Sequence, residues 1–483
     1  MKRIQTVLVF IFFISFAASA QNTNATENNA PHLATENRYT ENNSFVYINS
    51  IPQADQFPGV DICAKIRAAA IYAISSGIGQ VDATHFSGTQ ACSSDPLGGL
   101  VTVGNWANLV VNLGNVHIRS RVVWNINNQG VALRGMGPYT TQIEYTGSSS
   151  EQALFVGTST PATKPLQGIL LSDLFVYGDD SNLTDVVIAE GVLRSEFRNI
   201  STWGATGCGI HTKFAVADTF YRPHTSLFDA GTIGIFNSSH TTPAHGLCFD
   251  QVSGLGQTTA GTVVDAIAEY LTSSGWWLQS ASSMVFTGGT SENNTSSSAP
   301  GGLEVDSPSK HNTFLSVDLE DNSNEDALDN GIDSHYIGII AASPGGIRLG
   351  PTSQYGVVSG SDQVNVFADA SASSFEVTKG SEVVNKHQIN SPAGFRGAAL
   401  GFNQLGDGDA DYFDDVSVGP YAHAFFVWKG FSYSFQGGFT TSGGFNAVNG
   451  FQFNGTAGFT GIRTVGTCVF TVQGGIITNV TGC

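Results

Sequence analysis

A motif that recurs every 22–29 residues constrains the fold more than any other feature of this 483-residue chain. It consists of a glycine, an apolar residue, any residue and a second apolar residue. The four glycines that begin it are Gly246, Gly275, Gly302 and Gly346. The interval between Gly302 and Gly346 equals two repeats, and Gly331-Ile332 lies inside it. Because the repeat is too short for a four-stranded propeller blade of ~40 residues and contains no helical pattern, it predicts stacked coils of about three strands.

A second series of residues has nearly the same spacing. Glu269, Glu292 and Glu320 each begin a short acidic or amide-rich turn, at intervals of 23 and 28 residues. We therefore expect these three glutamates to stack at one position of successive coils. They form an alternative acid column. The repulsion between its carboxylates would have to be relieved by a cation, a shared proton or hydrogen bonds to turn amides.

One helix is predicted before the strands begin. Asp61 is a suitable N-cap, and the apolar positions recur at helical spacing. These positions are Ile62, Ile66, Ala70 and Ile74. A helix at this point would cover the open end of the first coil, while 57 glycines favour short strands joined by turns in the remainder.

The first twenty residues have the pattern of a secretory signal. Lys2 and Arg3 precede the apolar run Val7–Phe16, and Ala18-Ser19-Ala20 resembles a cleavage site. Residues 21–50 are polar and repetitive and predict a disordered linker. We expect a β-helix over 51–395, a distinct β-structured region over 396–483, and a secreted or cell-surface protein with no membrane span.

The net charge limits the class of partner. It is −19 for the whole chain, and it becomes −21 without the predicted signal, which carries two cations and no acids. A surface this acidic disfavours nucleic acid and anionic lipid, both of which favour Lys and Arg. The charge is compatible with a solvated external protein, a cation-binding protein or one that faces neutral sugars.

Six cysteines in an exported chain indicate disulfides, although composition alone allows fifteen pairings. Proximity in the sequence favours Cys63–Cys92 and Cys468–Cys483, which leaves Cys208 for Cys248. The alternative is that one or more of these residues are buried thiols.

Three segments carry a resemblance to a known family. They are Asp61–Ile66, Gly79–Ala83 and Lys310–Phe314, the last containing an asparagine-bearing turn. Over residues 55–390 the chain resembles the right-handed β-helix proteins of the pectate-lyase superfamily, including the tailspike-like and polygalacturonase-like branches. The resemblance implies an all-β, right-handed parallel β-helix with an N-terminal capping helix and a small C-terminal β region. It also implies a polysaccharide hydrolase or lyase.

The repeat predicts which side chains point outward, because successive side chains of a strand face opposite sides. The predicted acid–base candidates are Glu304 and Asp306, assisted by Asp250. The predicted sugar-holding residues are Trp277, Gln279, Asp333 and Arg348. Two carboxyl groups beside an aromatic ring suit glycoside hydrolysis, and the alternatives are non-catalytic glycan binding by a surface or fibre-like protein and an ordinary solvated strand.

The sequence departs from the motifs of both individual branches. Arg222-Pro223 is similar to an element of pectate lyases, but the remaining basic motif is absent. The polygalacturonase motifs are absent as well, so the resemblance implies a reaction class and no particular enzyme.

The C-terminal region carries two further predictions. Its acidic residues at alternate positions resemble a calcium loop, without the glycine and glutamate of the usual loop. These residues are Asp407, Asp409, Asp411 and Asp415. No cofactor is required by the proposed chemistry, and Ca²⁺ is the one candidate. The repeated Gly-Phe pairs are typical of trimeric fibres, so both a homotrimer and a monomer with a folded-back cap remain open.

Overall fold

The computed structural model describes residues 50–360 apart from 159–160, 162–163, 179–181, 236–239, 297–299 and 342–345, together with the strands and turns beyond 360 given below. The predicted signal and linker, residues 1–20 and 21–50, lie outside the described residues and stay predictions. Among the described residues, no helix is long and apolar enough to cross a bilayer.

The N-terminal helix forms where the sequence predicts it. It spans Ile62–Ser75, and Asp61 caps it by accepting a hydrogen bond from the Ala64 amide at 2.9 Å. Ile62, Ile66 and Ala70 are fully buried and pack with the first coil. The other described helices are a 3-10 turn at Ala54–Gln56 and a short helix at Leu227–Thr232.

The body of the protein is a parallel β-helix of about 10 turns. Its strands form three ladders, which we call the first, second and third sheets in the order in which the first coil meets them. The first sheet contains Gln80–Ala83, Trp106–Leu113, Gln129–Arg134, Leu170–Gly178, Glu196–Trp203, Thr219–Tyr221, Thr262–Val264, Val285–Thr287, Thr313–Leu315, His335–Ile337 and Val357–Gly360.

The second sheet contains Gly88–Cys92, Val116–Ser120, Thr141–Tyr145, the distal halves of Leu170–Gly178 and Glu196–Trp203, and then His224–Ser226, Ile267–Glu269 and Thr290–Glu292. The third sheet contains Trp124–Ile126, Leu154–Gly157, Val187–Glu190, Cys208–Lys213, His245–Val252, Trp276–Leu278, Leu303–Val305, Ala327–Asp329, Ile347–Leu349 and Val366–Ala368. Shorter strands at Leu166–Gln167, Val192–Leu193, Gly256–Thr259 and Ala281–Ser282 join neighbouring coils.

Left-handed backbone marks the corner between the first and second sheets. Asp173, Asn199, Arg222 and Asp265 take up positive φ there on four coils. Aspartate and asparagine tolerate this conformation better than most residues, because their short polar side chains bond locally. In keeping with this, the Asn199 amide donates to Asp173 Oδ1 at 2.9 Å.

Aromatic rings and asparagines fill the interior. Phe286, Phe314 and Tyr336 stack on successive coils with centroids 5.0 and 4.9 Å apart. Asn294 and Asn322 lie at equivalent turns, and Asn294 Nδ2 donates to Asn322 Oδ1 at 3.1 Å. Asn294 and Asn322 therefore form part of an asparagine ladder.

The three predicted disulfides are present: Cys63–Cys92, Cys208–Cys248 and Cys468–Cys483. They are consistent with an extracellular protein. The alternative of buried thiols is therefore wrong for this chain.

Antiparallel pairing replaces the parallel coils towards the C-terminus. Phe375–Lys379 pairs in parallel with Val357–Gly360 and antiparallel with Glu382–Lys386. The antiparallel strands that follow are Ala398–Phe402, Ala410–Asp414, Phe426–Lys429, Ser432–Phe435, Gln452–Phe453, Thr456–Ala457, Gly461–Val465, Cys468–Gln473 and Ile476–Thr481. A small C-terminal β region is thus confirmed.

Candidate functional site

The outer surface of the third sheet brings most of the predicted site residues together. Leu247, Trp276, Leu303 and Ile347 are buried, as the glycine motif predicts, and they are in register with the buried Ala327, which the motif does not predict. The residues that follow them point outward and are aligned in one column. This column contains His211, Cys248, Trp277, Glu304, Leu328 and Arg348.

A parallel column lies two residues further along the strands. Phe249 pairs with Leu278, which pairs with Val305, so the following residues Asp250, Gln279 and Asp306 are aligned. Gln279 is half-buried between the two aspartates. Since neighbouring strands lie ~4.8 Å apart, the backbones of Asp250 and Asp306 are about 10 Å apart.

Hydrogen bonds fix both predicted acids of the Leu303–Val305 coil. The Trp277 indole N–H donates to Asp306 Oδ2 at 3.1 Å. The hydroxyl of buried Ser274 lies 2.9 Å from Glu304 Oε2 and 3.0 Å from the Pro300 carbonyl oxygen. A carbonyl oxygen can only accept, so when Ser274 donates to Pro300, a bond to Glu304 requires the proton to be on Glu304.

Two histidines that sequence reasoning missed complete the site. His211 Nδ1 lies 2.9 Å from Asp185 Oδ2, and its Nε2 lies 3.9 Å from Asp250 Oδ2. The His245 ring centroid lies 4.5 Å from that of Trp277, and its Nδ1 donates to the Ser274 carbonyl at 2.8 Å. Burial lowers the pKa of His245, so its Nε2 is a neutral acceptor.

The repeat itself contained a signal for His211. Gly209-Ile210-His211-Thr212 matches the motif except that Thr212, instead of an apolar residue, faces the interior. Thr212 is 1% exposed, so a polar residue takes the inward position there. A motif that requires two apolar residues therefore begins at Gly246 and misses the preceding coil, which carries His211.

The carboxyl groups of the site have pKa values displaced in opposite directions. Burial raises the pKa of Asp306, and the negative charge of Asp250 adds to the increase. Burial likewise raises the pKa of Glu304, with a contribution from Asp306. Burial also acts on Asp250, but the His211 imidazole and the Gln251 amide outweigh it and lower the pKa of Asp250.

Asp333 does not lie on this surface, so its predicted place in the outward column is wrong. The coil between Glu304 and Arg348 contributes Leu328. Asp333 instead lies at a left-handed turn before the first sheet, bonded to His311 Nδ1 at 2.8 Å and His335 Nε2 at 2.9 Å. The prediction relied on Gly331-Ile332 as the motif, whereas the strand is Ala327–Asp329 and has no preceding glycine.

Arg348 is in the column but lies far from the acids. Its side chain is exposed and Nη1 bonds Glu325 Oε1 at 3.0 Å. Two strand intervals separate it from Glu304. It could contact only a ligand that extends along several coils.

The alternative acid column forms on the second sheet. Glu269 pairs with Glu292, and a bridge between Thr290 and Asp318 places Glu320 next in line. Burial and then the charges of Glu269 and its acidic neighbours raise the pKa of Glu292. Ser226 donates to Glu269 Oε2 at 2.7 Å, so one member of the column is held by a hydrogen bond.

One carboxylate oxygen each from Glu292, Asp318 and Glu320 lies within 4.8 Å of the other two. This spacing would allow a cation or a shared proton. The calcium-loop residues Asp407, Asp409 and Asp415 lie outside the described residues. Asp411 lies in the strand Ala410–Asp414, so calcium binding there stays a prediction.

Sequence reasoning also missed a cluster on the outer face of the second sheet. Glu144 is 7% exposed and accepts from Arg119 Nε at 2.9 Å. His117 Nε2 lies 2.7 Å from Glu144 Oε2 and 2.9 Å from the Tyr177 hydroxyl. These contacts outweigh burial and lower the pKa of Glu144.

Asp229 attaches the short helix Leu227–Thr232 to the same face. Its carboxylate accepts from Tyr139 Oη at 2.6 Å and from Ser201 Oγ at 2.8 Å, and it lies 3.2 Å from His224 Nδ1. Burial and this bond raise the pKa of Tyr139 to about 12. The residues come from three coils, which is why no local motif revealed them.

Comparisons with known proteins support the fold alone. No protein-family model matches the chain, and no curated protein matches its sequence. The ORF18 protein of Geobacillus virus E2 is similar in structure, with a TM-score of 0.51 and 12% identity over 81% of this chain and 79% of that chain. The resemblance to β-helix proteins is therefore confirmed as a parallel β-helix solenoid.

Two more distant solved structures have names that concern carbohydrates or phage tails. The A-module of mannuronan C-5 epimerase AlgE6 of Azotobacter vinelandii has a TM-score of 0.44 and 12% identity over 68% of this chain and 98% of that chain. Tailspike protein 3 of bacteriophage CBA120 has a TM-score of 0.30 and 10% identity over 76% of this chain and 68% of that chain.

Proposed function

We propose that this is a secreted carbohydrate-active protein that cleaves a polysaccharide by carboxylate acid–base hydrolysis on the outer face of the third sheet. One observation carries the proposal: Asp250 and Asp306 lie in one column, and their surroundings displace their pKa values in opposite directions. Paired titratable groups with divergent pKa values are the usual acid and base of such a reaction.

Asp306 is the proton donor in this proposal. Its Oδ2 accepts from Trp277, which leaves Oδ1 to carry a proton towards the glycosidic oxygen. Burial and the charge of Asp250 keep that proton bound to higher pH than in an ordinary aspartate. The leaving sugar would depart with the proton of Asp306.

Asp250 is the base that activates water. Its lowered pKa keeps it ionised, so it can accept a proton from the attacking water as the new bond to the anomeric carbon forms. The backbone separation of about 10 Å leaves room for a water molecule between the two side chains, as in inverting enzymes, whose carboxyl groups lie ~6.5–9.5 Å apart. We therefore expect inversion of the anomeric configuration.

Glu304 and Trp277 would hold the sugar. Glu304 lies two residues before Asp306 on the same face of the strand, about 7 Å away along the backbone. Its raised pKa and its bond to Ser274 make it a neutral hydrogen-bonding group for sugar hydroxyls. The half-buried Trp277 supplies an aromatic surface of the kind that packs against sugar rings.

A panel of plant and bacterial polysaccharides tests the proposal, assayed for new reducing ends and for the absorbance of unsaturated products. We expect reducing ends without unsaturated products, and loss of the reducing-end signal in Asp306→Asn and Asp250→Asn. The matched control is Asp173→Asn, at a corner of another face where asparagine also tolerates the left-handed backbone.

Binding of a glycan without any product would contradict hydrolysis and favour the non-catalytic, fibre-like alternative. Unsaturated products would indicate elimination instead. Wild-type activity in folded Asp306→Asn protein would exclude Asp306 as the acid.

A further inference from the structure

We propose that Asp185 and His211 are positioning residues that hold Asp250 ionised, and that they thereby set the lower pH limit of the reaction. This inference rests on the proposed function. It concerns two residues that are not expected to contact the substrate, since Asp185 is 4% exposed and acts through His211.

Asp185 is fixed at both carboxylate oxygens. Its Oδ1 accepts from the Cys208 amide at 2.7 Å, and its Oδ2 lies 2.9 Å from His211 Nδ1. Gly207 permits this close approach, since a Cβ there would lie 2.7 Å from Oδ1. An ionised carboxylate only accepts, so His211 Nδ1 must carry hydrogen.

His211 then presents its other nitrogen to Asp250. Nε2 lies 3.9 Å from Asp250 Oδ2. In the part of the chain that the structure describes, this buried nitrogen has no hydrogen-bond partner. A protonated His211 is therefore the arrangement that uses both nitrogens: one bonds Asp185, and the other attracts the carboxylate of Asp250.

The charges around His211 are mixed. Lys213 follows on the same strand and opposes protonation of His211, but it lies 3.3 Å from Glu151. The preceding coil adds Glu190, and the following coil adds Asp250 and the buried His245. The hydrogen bond to Asp185 and the nearby carboxylates of Asp185 and Asp250 outweigh burial and Lys213, so the pKa of His211 is raised.

The Asp185→Asn variant tests the inference directly. Asparagine keeps the oxygen that accepts from Cys208 and removes the charge that faces His211. NMR titration of the His211 ring and the Asp250 carboxyl should show a lower pKa for His211 and a higher pKa for Asp250 than in the wild type. Asp173→Asn is the control and should change neither. Unchanged titration of both groups in Asp185→Asn would overturn the inference.

The pH profile of kcat/KM provides the second measurement. If His211 loses its proton at neutral pH in Asp185→Asn, Asp250 requires a higher pH to ionise. The acid limb of the kcat/KM profile should therefore move to higher pH, while KM changes little. We expect a loss in kcat/KM on the acid side of about 10-fold for each pH unit by which the limb moves, with partial recovery at higher pH. A uniform loss at every pH would indicate a purely structural role and contradict the inference.

The two proposals fail separately. If the wild type cleaves no polysaccharide, hydrolysis is wrong, yet the NMR titrations still decide whether Asp185 and His211 control Asp250. If the wild type is active and the titrations do not respond to Asp185→Asn, hydrolysis stands and the positioning role is wrong.

Discussion

At the scale of single residues, Trp277 has two roles that can be separated. Its ring lies beside His245, and its indole N–H donates to Asp306. A hydrogen bond to the ionised form of a carboxyl group lowers its pKa. Trp277 therefore limits how far burial and Asp250 can raise the pKa of Asp306.

Trp277→Phe should keep an aromatic surface but remove the donor. Without it the pKa of Asp306 rises further, so the proton donor stays protonated to higher pH. We expect the basic limb of the pH profile of kcat/KM to move to higher pH, with a modest increase in KM. Trp277→Ala should increase KM much more. A basic limb that stays in place in Trp277→Phe would argue against Asp306 as the acid.

Glu304→Gln tests the role of the second carboxyl group. Glutamine preserves the volume and a hydrogen-bonding oxygen near Ser274. If Glu304 acts as a neutral binding group, the variant should keep its fold and lose roughly 10-fold in kcat/KM, the effect of about 1.4 kcal/mol. A complete loss of activity with intact circular dichroism would instead make Glu304 the acid.

At the scale of elements, the Cys208–Cys248 disulfide joins adjacent strands of the third sheet inside the site. Cys248 lies between His211 and Trp277 in the outward column. The bond therefore ties the coil that carries His211 to the one that carries Asp250. The Cys63–Cys92 bond joins the capping helix to the second sheet and is remote from these residues in sequence.

The double variant Cys208→Ala/Cys248→Ala should be less stable by about 3–4 kcal/mol on the loop-entropy view and should also lose activity. The matched control is Cys63→Ala/Cys92→Ala, which should lose stability but retain kcat/KM where it remains folded. Urea unfolding and the activity assay measure the two effects. Equal activity losses at equal folded fraction would contradict a role of the Cys208–Cys248 bond in alignment.

The stack of aromatic rings in the interior is a second stabilising feature at the scale of elements. Phe314 is fully buried between Phe286 and Tyr336. Phe314→Ala should lower the free energy of unfolding by about 3–5 kcal/mol through lost burial and a cavity. Phe314→Leu should cost less, since most of the volume remains. Denaturant unfolding monitored by circular dichroism compares the two.

At the scale of the whole molecule, buried carboxyl groups make stability depend on pH. Asp218 is 2% exposed, and burial raises its pKa to about 7. Burial also raises the pKa of Asp329 to about 6. The folded protein therefore keeps these protons at pH values where the unfolded chain, with a pKa of about 3.9, has lost them.

These two groups should make the protein less stable as pH rises from about 4 to about 7, because the folded state binds more protons there than the unfolded state. Asp218→Asn keeps the oxygen that accepts from the Ser195 amide and removes the titration. Its free energy of unfolding should therefore fall less steeply with pH than that of the wild type. Parallel curves for the two proteins would show that Asp218 is not the source.

Much of the fold was predictable because it depends on local alternation. The glycine motif correctly placed Trp276, Leu303 and Ile347 inside and Trp277 and Glu304 outside. The missed coil, Ala327–Asp329, shows the limit of the motif. It lacks the glycine, and Asp329 occupies an inward position that the motif reserves for an apolar residue.

The sequence by itself determined a solenoid, its capping helix, its three disulfides and the outward direction of the central acids. Each of these follows from spacing along one strand or between adjacent repeats. Only the tertiary structure decided which carboxyl group has its pKa lowered and which has its pKa raised. That depends on burial and on His211, Ser274 and Asp185, which reach the site from other coils through a coil-to-coil distance of ~4.8 Å.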